Sequence, residues 1–202
     1  NERKPNVIFL PGLGGSCLSF RSLVNSLKIN ASVWGIQTYG LSIDEEPFDS
    51  IEKIAIYNIK LLKSKIPSGP YTLVGYSFGG TIAFEMAYQL ETQYNDIVNT
   101  VLLDAAPHDN SLITTNADYV SHILLHLRRG LGFSFQPNKM LNKIIDINPS
   151  KSITAELDSR SVDRDIFEAL MEENIEGVTP EFLNRVITLY GRHLTASFPY
   201  EN

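Results

Sequence analysis

Short runs of β-branched and apolar residues alternate with helical patterns along the first half of the chain. Such runs, which lack a polar residue at every second position, are typical of strands buried on both faces of a parallel sheet. Amphipathic stripes lie between the runs, and one of them follows the capping-box sequence Asp49-Ser50-Ile51-Glu52. This alternation predicts a mostly parallel sheet with helices on both faces. The predicted strands cover residues 7–10, 33–37, 71–74 and 100–104, and the predicted helices between them cover 20–27, 51–62 and 78–90.

The second half of the chain, from about residue 116 to 197, carries helical stripes and no convincing strand. The spacing predicts helices over 117–131 and 162–175, and Thr179-Pro180 supplies an N-cap and a first helical residue for another. We therefore predict an α/β core over residues 1–115 and a helical lid over 116–202, because the helical block starts beside the loop ends where chemistry occurs in such sheets. A plain helical appendage is the alternative.

The segment Gly75-Tyr76-Ser77-Phe78-Gly79 has the pattern G-x-S-x-G between a predicted strand and a predicted helix. A serine in this turn is raised above the carboxyl edge of the sheet, where its Oγ can attack a carbonyl carbon. Glycines two residues before and two after the serine let the strand and the helix approach closely. The pattern alone occurs by chance, but its strand and helix context predicts Ser77 as a catalytic nucleophile.

Two further features support an acyl-transfer site around Ser77. Asp104 ends the next predicted strand at the same sheet edge, which suits the triad order Ser…Asp…His, although an Asp there can also be a turn former or a helix cap. Backbone N–H donors for an oxyanion are predicted at Phe78 and at Leu13, which lies in the glycine-rich loop after the first strand. A nucleotide site in that loop is disfavoured, because the loop lacks the P-loop lysine and Cys17 stands where the dinucleotide fingerprint needs its last glycine.

No histidine lies where the base of such a triad is expected, in a loop after a final strand. His122 and His126 have i, i+4 spacing on a predicted helix, but no third ligand accompanies them, so no metal site is predicted. We interpret His193 as a partly buried helix residue, and Cys17 shows no sign of activation as a rival nucleophile. With His108 too close in sequence to Asp104, the catalytic histidine is predicted not to be present in this chain.

Bulk composition narrows the class of protein. The 202 residues suffice for one substantial domain, and contents of 43% hydrophobic and 20% charged residues are ordinary for a soluble globular protein. The net charge of −6 disfavours a nucleic-acid partner, and no apolar run approaches the roughly 20 residues that span a bilayer. A single cysteine suits a reducing compartment, which predicts a cytoplasmic protein. The start without Met indicates an excised or processed chain.

The serine motif and its surroundings resemble the thioesterase domains that end fatty acid synthases, polyketide synthases and nonribosomal peptide synthetases. The resemblance covers about residues 6–107 and rests first on the motif up to Gly80, followed by Ala83-Phe84-Glu85-Met86-Ala87. Two of the similar stretches lean toward the animal fatty acid synthase type, namely Asp49-Ser50-Ile51 and Gly69-Pro70-Tyr71. The others are Phe9-Leu10-Pro11-Gly12 with Gly15-Ser16, Trp34-Gly35-Ile36-Gln37 and Leu102-Leu103-Asp104.

This resemblance implies an α/β-hydrolase fold and an enzyme that releases an acyl, polyketide or peptidyl chain from the phosphopantetheine arm of a carrier protein. By matching position, Ser77 would form the acyl-enzyme, Asp104 would be the triad acid, and Leu13 and Phe78 would be the oxyanion donors. No cofactor is implied, and the expected partner is an acyl or peptidyl carrier domain of a larger multidomain synthase. The last strands and the histidine of the family have no match here, so we expect part of the core to be missing and the fragment to be nearly inactive.

Two other functions fit the same motifs. A carboxylesterase or lipase-like serine hydrolase of the same fold would share the catalytic residues and differ in its substrate groove. A catalytically dead hydrolase fold used for binding would account for the missing histidine.

Overall fold

The structure is a computed structural model that describes residues 4–41, 44–105, 116–131, 135–136, 139–140, 142, 144, 159–173 and 178–197. The chain divides into two units, which we call unit 1 (Asn1–His108 with His193–Asn202) and unit 2 (Asp109–Arg192). This division does not test the role of the helical part, so the predicted core over 1–115 and lid over 116–202 stay predictions.

Four strands form the sheet of unit 1, and every neighbouring pair is parallel, as predicted. Their order is β2-β1-β3-β4, so the chain winds outward in both directions from the β1–β3 pair. In such sheets ligands bind outside the carboxyl ends of the strands, where the winding direction changes. The strands are β1 Asn6–Leu10, β2 Ser32–Gly35, β3 Tyr71–Tyr76 and β4 Val98–Leu103.

Helices cover both faces of this sheet, which confirms the predicted layering. Successive strand residues point to opposite faces, so Ile8 and Leu10 join one buried apolar cluster and Phe9 joins another. The Ser50 hydroxyl caps the helix after it by accepting from the Lys53 N–H at 3.3 Å, so the N-cap lies one residue later than the Asp49…Glu52 capping-box spacing predicts. The first cluster includes residues of α2 Ile51–Lys65 and α3 Phe78–Tyr94, and the second includes Phe20, at the junction of a 3-10 turn (Cys17–Phe20) with α1 Arg21–Ser26.

The strand ends differ from the prediction by a residue or two. The strand predicted to reach residue 37 stops at Gly35, because Gln37 turns its side chain to the loop after β1. The Gln37 amide donates to the Gly15 carbonyl, and its oxygen accepts from the Cys17 N–H at 3.3 Å. The last strand stops at Leu103, because Asp104 has a φ of +48°, outside the range of strand residues.

Each predicted stripe of unit 2 is a helix in the structure, with bounds shifted by a few residues, and residues 139–140, 142 and 144 are also helical, where no helix was predicted. In the first of the predicted helices, the apolar residues Val120, Ile123, Leu124 and Leu127 are all buried, as their helical spacing leads us to expect. Met171 and Phe182, which are apolar residues at helical spacing in the other two predicted helices, are 37% and 46% exposed. These helices are α4 Asn116–Leu131, α5 Ser159–Glu172 and α6 Pro180–Ser197, and α6 belongs to unit 1 from His193 on.

The start of α6 confirms its predicted signals. The Thr179 hydroxyl accepts from the Phe182 N–H at 3.3 Å, and Pro180 is the first helical residue. None of the helices within the described ranges is long and apolar enough to cross a membrane.

Candidate active site

Ser77 lies in a sharp turn between β3 and α3, with φ 51° and ψ −123°. A residue with a side chain rarely adopts a positive φ, and such strain is concentrated at functional sites. Two hydrogen bonds fix the turn: the Ser77 N–H donates to the Leu103 carbonyl at 2.9 Å, and the Gly80 N–H donates to the Ser77 carbonyl at 2.8 Å. Ser77 occupies the N-cap position of α3 without using its hydroxyl as a cap, so the side chain is not engaged in holding the helix.

The glycines on either side of the turn have the steric role that the sequence predicts. A Cβ at Gly75 would collide with the backbone of Gly79 and Gly80. A Cβ at Gly79 would collide with the backbone oxygens of Leu10 and Pro11, at the end of β1. The G-x-S-x-G spacing therefore lets α3 start in direct contact with both central strands.

Asp104 follows β4 as Ser77 follows β3. Tyr76 and Leu103 are paired across the two strands, so Ser77 and Asp104 each stand one residue beyond a paired position, at the same sheet edge. Strands in a sheet are about 4.8 Å apart, which brings the two residues side by side. Asp104 also has a positive φ and an exposed side chain. Within the described ranges, neither Ser77 nor Asp104 is hydrogen-bonded to a histidine.

The loop that contains Leu13 leaves the carboxyl end of β1, next to β3 in the sheet. The Gly15 N–H donates to the Gly12 carbonyl at 3.1 Å, which closes a tight turn around Leu13. Gly15 has φ +67°, and a Cβ there would collide with the Thr38 side chain. The loop and the serine turn thus sit at the ends of adjacent strands, at the β1–β3 point where the winding direction changes. Whether Leu13 and Phe78 donate to an oxyanion stays a prediction.

His193 lies against the serine turn and is more deeply buried than the sequence predicts. Its ring stacks on the Phe78 ring with centroids 4.7 Å apart and planes 17° apart, and the residue is 1% exposed. Burial lowers the pKa of the His193 imidazole to about 3. A signal was present in the sequence, because His193 follows Val186 and Tyr190 at helical spacing and therefore shares their apolar stripe.

Cys17, His122 and His126 show no sign of a catalytic or metal-binding role in the described part of the chain. Burial raises the pKa of the Cys17 thiol to about 11, so the thiolate is scarce at neutral pH. His122 and His126 stack with centroids 4.3 Å apart, and the His126 Nδ1–H donates to the His122 carbonyl at 2.8 Å. Among the described residues no group of three His, Cys, Asp or Glu side chains forms a metal site. His108 lies outside the described residues.

Comparisons with known proteins show the family of the chain. Residues 5–132 match the family model described as "Thioesterase domain". Over 97 residues the chain is 44% identical to an indigoidine synthase of Streptomyces lavendulae, a match that covers 48% of this chain and 8% of that protein. It is 32% identical over 130 residues to the nonribosomal peptide synthetase pngA of Aspergillus terreus, covering 64% of this chain and 14% of that protein. The matched segment is therefore a small part of each relative.

Solved structures show the same fold. The RedJ thioesterase of the prodiginine pathway in Streptomyces coelicolor has a TM-score of 0.61 at 18% identity, over 99% of this chain and 62% of that one. The type II thioesterase BorB of the borrelidin biosynthetic cluster has a TM-score of 0.59 at 18% identity, over 100% of this chain and 68% of that one. These likenesses confirm the predicted α/β-hydrolase fold. For the lean toward animal fatty acid synthases the support is less direct, because these relatives are bacterial and fungal.

Proposed function

The chain belongs to the thioesterase domain family, and on this premise we propose that it releases an acyl or peptidyl group from the phosphopantetheine thioester of a carrier protein, with Ser77 as nucleophile. The observation that carries the proposal is the conformation of Ser77, a strained residue at the end of a central strand whose hydroxyl caps nothing. A serine held this way presents its Oγ to a carbonyl carbon above the sheet edge.

The chemistry proceeds in two halves. The Ser77 Oγ attacks the thioester carbonyl carbon while its proton passes to a base, and the N–H groups of Phe78 and Leu13 bind the developing oxyanion. The C–S bond then breaks, the pantetheine thiol leaves with a proton, and an acyl-serine ester remains. Water attacks this ester in the second half, which frees the carboxylic acid and regenerates the Ser77 hydroxyl.

Asp104 is the proposed triad acid, because it stands beside Ser77 at the end of the adjacent strand. We assign the base to no described residue. His193 is the histidine that lies against the turn, but a group with a pKa of about 3 accepts a proton poorly at neutral pH. Because no histidine of the described ranges is hydrogen-bonded to Asp104, we expect these 202 residues alone to turn over about 10⁴-fold more slowly than a complete triad.

A carrier protein is the proposed partner. Among the sequence relatives, the pngA protein is a nonribosomal peptide synthetase and PksR of Bacillus subtilis is a polyketide synthase, which supports a role next to a carrier domain in a larger synthase. We further propose that the protein is cytoplasmic and needs no cofactor of its own.

Labelling with a fluorophosphonate tests the nucleophile in the natural protein that contains this sequence. Mass spectrometry is expected to find the phosphonate on Ser77, and Ser77→Ala is expected to lose both the label and at least about 10³-fold in thioester hydrolysis. Ser64→Ala, on the exposed side of α2, is the matched control and should keep both. An unlabelled Ser77 in the folded natural protein would refute the serine mechanism and favour a binding role.

A second assay tests the class of substrate. Rates with an acyl-pantetheine thioester and with a p-nitrophenyl ester of the same acyl chain separate the proposed thioesterase from a general esterase. We expect the thioester to have the higher kcat/KM, and a preference for the oxygen ester would favour the carboxylesterase or lipase alternative.

A further inference from the structure

The imidazole of His193 forms one side of the packing around Phe78. The nearly parallel rings, with centroids 4.7 Å apart, lie in the range of offset aromatic stacking. Phe78 is 2% exposed and is the first residue of α3, directly after Ser77. The orientation of the Phe78 backbone N–H is therefore tied to a ring that has little freedom to move.

The Nδ1 atom of His193 takes no part in holding the ring. Its Nδ1 is buried and has no hydrogen-bond partner within the described ranges. The residue lines a small cavity of about 10 Å³, which has room for one water molecule, and Thr38 and Asn58 are the other polar side chains at its wall. Because such a polar group is normally bonded when buried, a role for the flat ring face accounts for His193 better than a role for its nitrogen.

The same cavity is lined by both backbone segments of the proposed oxyanion hole, the loop after β1 and the first turn of α3. Pro11, Phe78 and Gly79 line it together with His193. Gly79 packs against the Leu10 and Pro11 carbonyls so closely that no Cβ fits between them. A shift of Phe78 toward the space that His193 fills would therefore change the position of the first turn of α3 relative to the loop after β1.

We propose that His193 is a positioning residue of the oxyanion hole, which fixes the Phe78 N–H by stacking on the Phe78 ring. This inference rests on the proposed function, because it assumes that Phe78 donates to the oxyanion. His193 does not touch the reacting atoms in this role and acts only through Phe78. The alternative is that His193 merely fills the core, in which case its loss would lower stability and leave reactivity unchanged.

Two substitutions separate the ring from its nitrogen. His193→Ala removes the stacking partner, and His193→Phe keeps an aromatic ring of similar shape without a nitrogen. In the natural protein we expect His193→Ala to slow the maximal rate of fluorophosphonate labelling at Ser77 by about 10- to 100-fold, because a small displacement of one oxyanion donor has effects of this size. We expect His193→Phe to label within about threefold of the wild-type rate, with the half-saturating probe concentration little changed in both variants.

Ile59→Ala is the matched control, because Ile59 is 1% exposed, belongs to the apolar cluster that contains Phe78 and does not line the cavity. It should lower stability and leave the labelling rate within about twofold. Three results would each overturn the positioning role. His193→Ala could label at the wild-type rate, Ile59→Ala could be slowed as much as His193→Ala, or His193→Phe could label as slowly as His193→Ala.

A measurement on the amide itself keeps this inference separate from the proposed function. The ¹⁵N–¹H resonance of Phe78 is expected to shift in His193→Ala and to return toward its wild-type position in His193→Phe. If wild-type Ser77 takes no label, the proposed function fails, and the Phe78 resonance then decides the geometry alone. An unshifted Phe78 amide in His193→Ala would refute the positioning of this N–H whether or not the protein is an enzyme.

Discussion

Replacing His193 with Phe should remove a pH-dependent loss of stability. Burial lowers the pKa of His193 in the folded protein to about 3, whereas an unfolded histidine has its ordinary value of about 6.5. Between these two values the unfolded chain binds a proton that the folded chain does not bind. The folded state is therefore fully favoured above about pH 6.5 and loses stability as the pH falls from there toward 3.

The size of this effect follows from the two pKa values. Because the folded-state pKa lies well below 5, the folded imidazole stays neutral at pH 5, while the unfolded one is almost completely protonated. The free energy of unfolding should then fall by about 2 kcal/mol between pH 7 and pH 5 through His193 alone. Other groups titrate in the same range, so the quantity to compare is the pH dependence of the wild type minus that of His193→Phe.

Urea denaturation at pH 7 and pH 5 measures this difference. Trp34, the single tryptophan of the chain, lies in β2, so its fluorescence reports on unit 1, which contains His193. Ile82→Val is the matched control, because Ile82 lines the same cavity and carries no titratable group. It should lose about 1 kcal/mol at both pH values and keep the wild-type pH dependence. An identical pH dependence in wild type and His193→Phe would show that His193 is not buried as a neutral group.

Three further substitutions or reactions test the site. Ser77→Gly should abolish fluorophosphonate labelling. It should also raise the free energy of unfolding by about 1 kcal/mol, because glycine relieves the strain of the positive φ. A lower free energy of unfolding than that of the wild type, measured by urea denaturation, would contradict this reasoning. In the natural protein, Asp104→Asn should keep the fold, since Asn tolerates a positive φ, and should lower kcat for thioester hydrolysis by about 10⁴-fold. Near-normal turnover of this variant would remove Asp104 from the triad. Cys17, with its raised pKa of about 11, should react slowly with iodoacetamide at pH 7.5, and the rate should rise about tenfold for each pH unit above 7.5. Rapid alkylation of Cys17 at neutral pH would refute the raised pKa.

The serine turn could be predicted from the sequence because its signals are local. Glycines at fixed offsets from Ser77, a buried strand before it and a helical stripe after it all lie within one continuous segment, and the structure has the turn there. The pairing of Ser77 with Asp104 at one sheet edge was also accessible, because parallel strands joined by a single helix are neighbours in most folds.

The features that the sequence analysis missed depend on tertiary contacts. β2 ends early because Gln37 bonds to a loop some 20 residues away, which no periodicity encodes. Met171 and Phe182 have apolar side chains at helical spacing, yet they lie on exposed faces, since spacing gives the width of a stripe and not which edge of it is covered. His193 was underestimated because its burial comes from a contact with Phe78, more than 100 residues earlier in the chain.

Local strain and sheet register combine to define the site. The positive φ values of Ser77 and Asp104 each cost stability, and neither residue could hold its conformation in an isolated peptide. The bond from the Ser77 N–H to the Leu103 carbonyl offsets part of that cost, and it forms only when β4 pairs with β3 in the observed register. A slip of β4 by one residue would move Asp104 away from Ser77 and break this bond at the same time. The strain at Ser77 and the position of Asp104, its proposed acid partner, are therefore set by one pairing, which makes the β3–β4 register a requirement for the proposed catalytic geometry as well as for the fold.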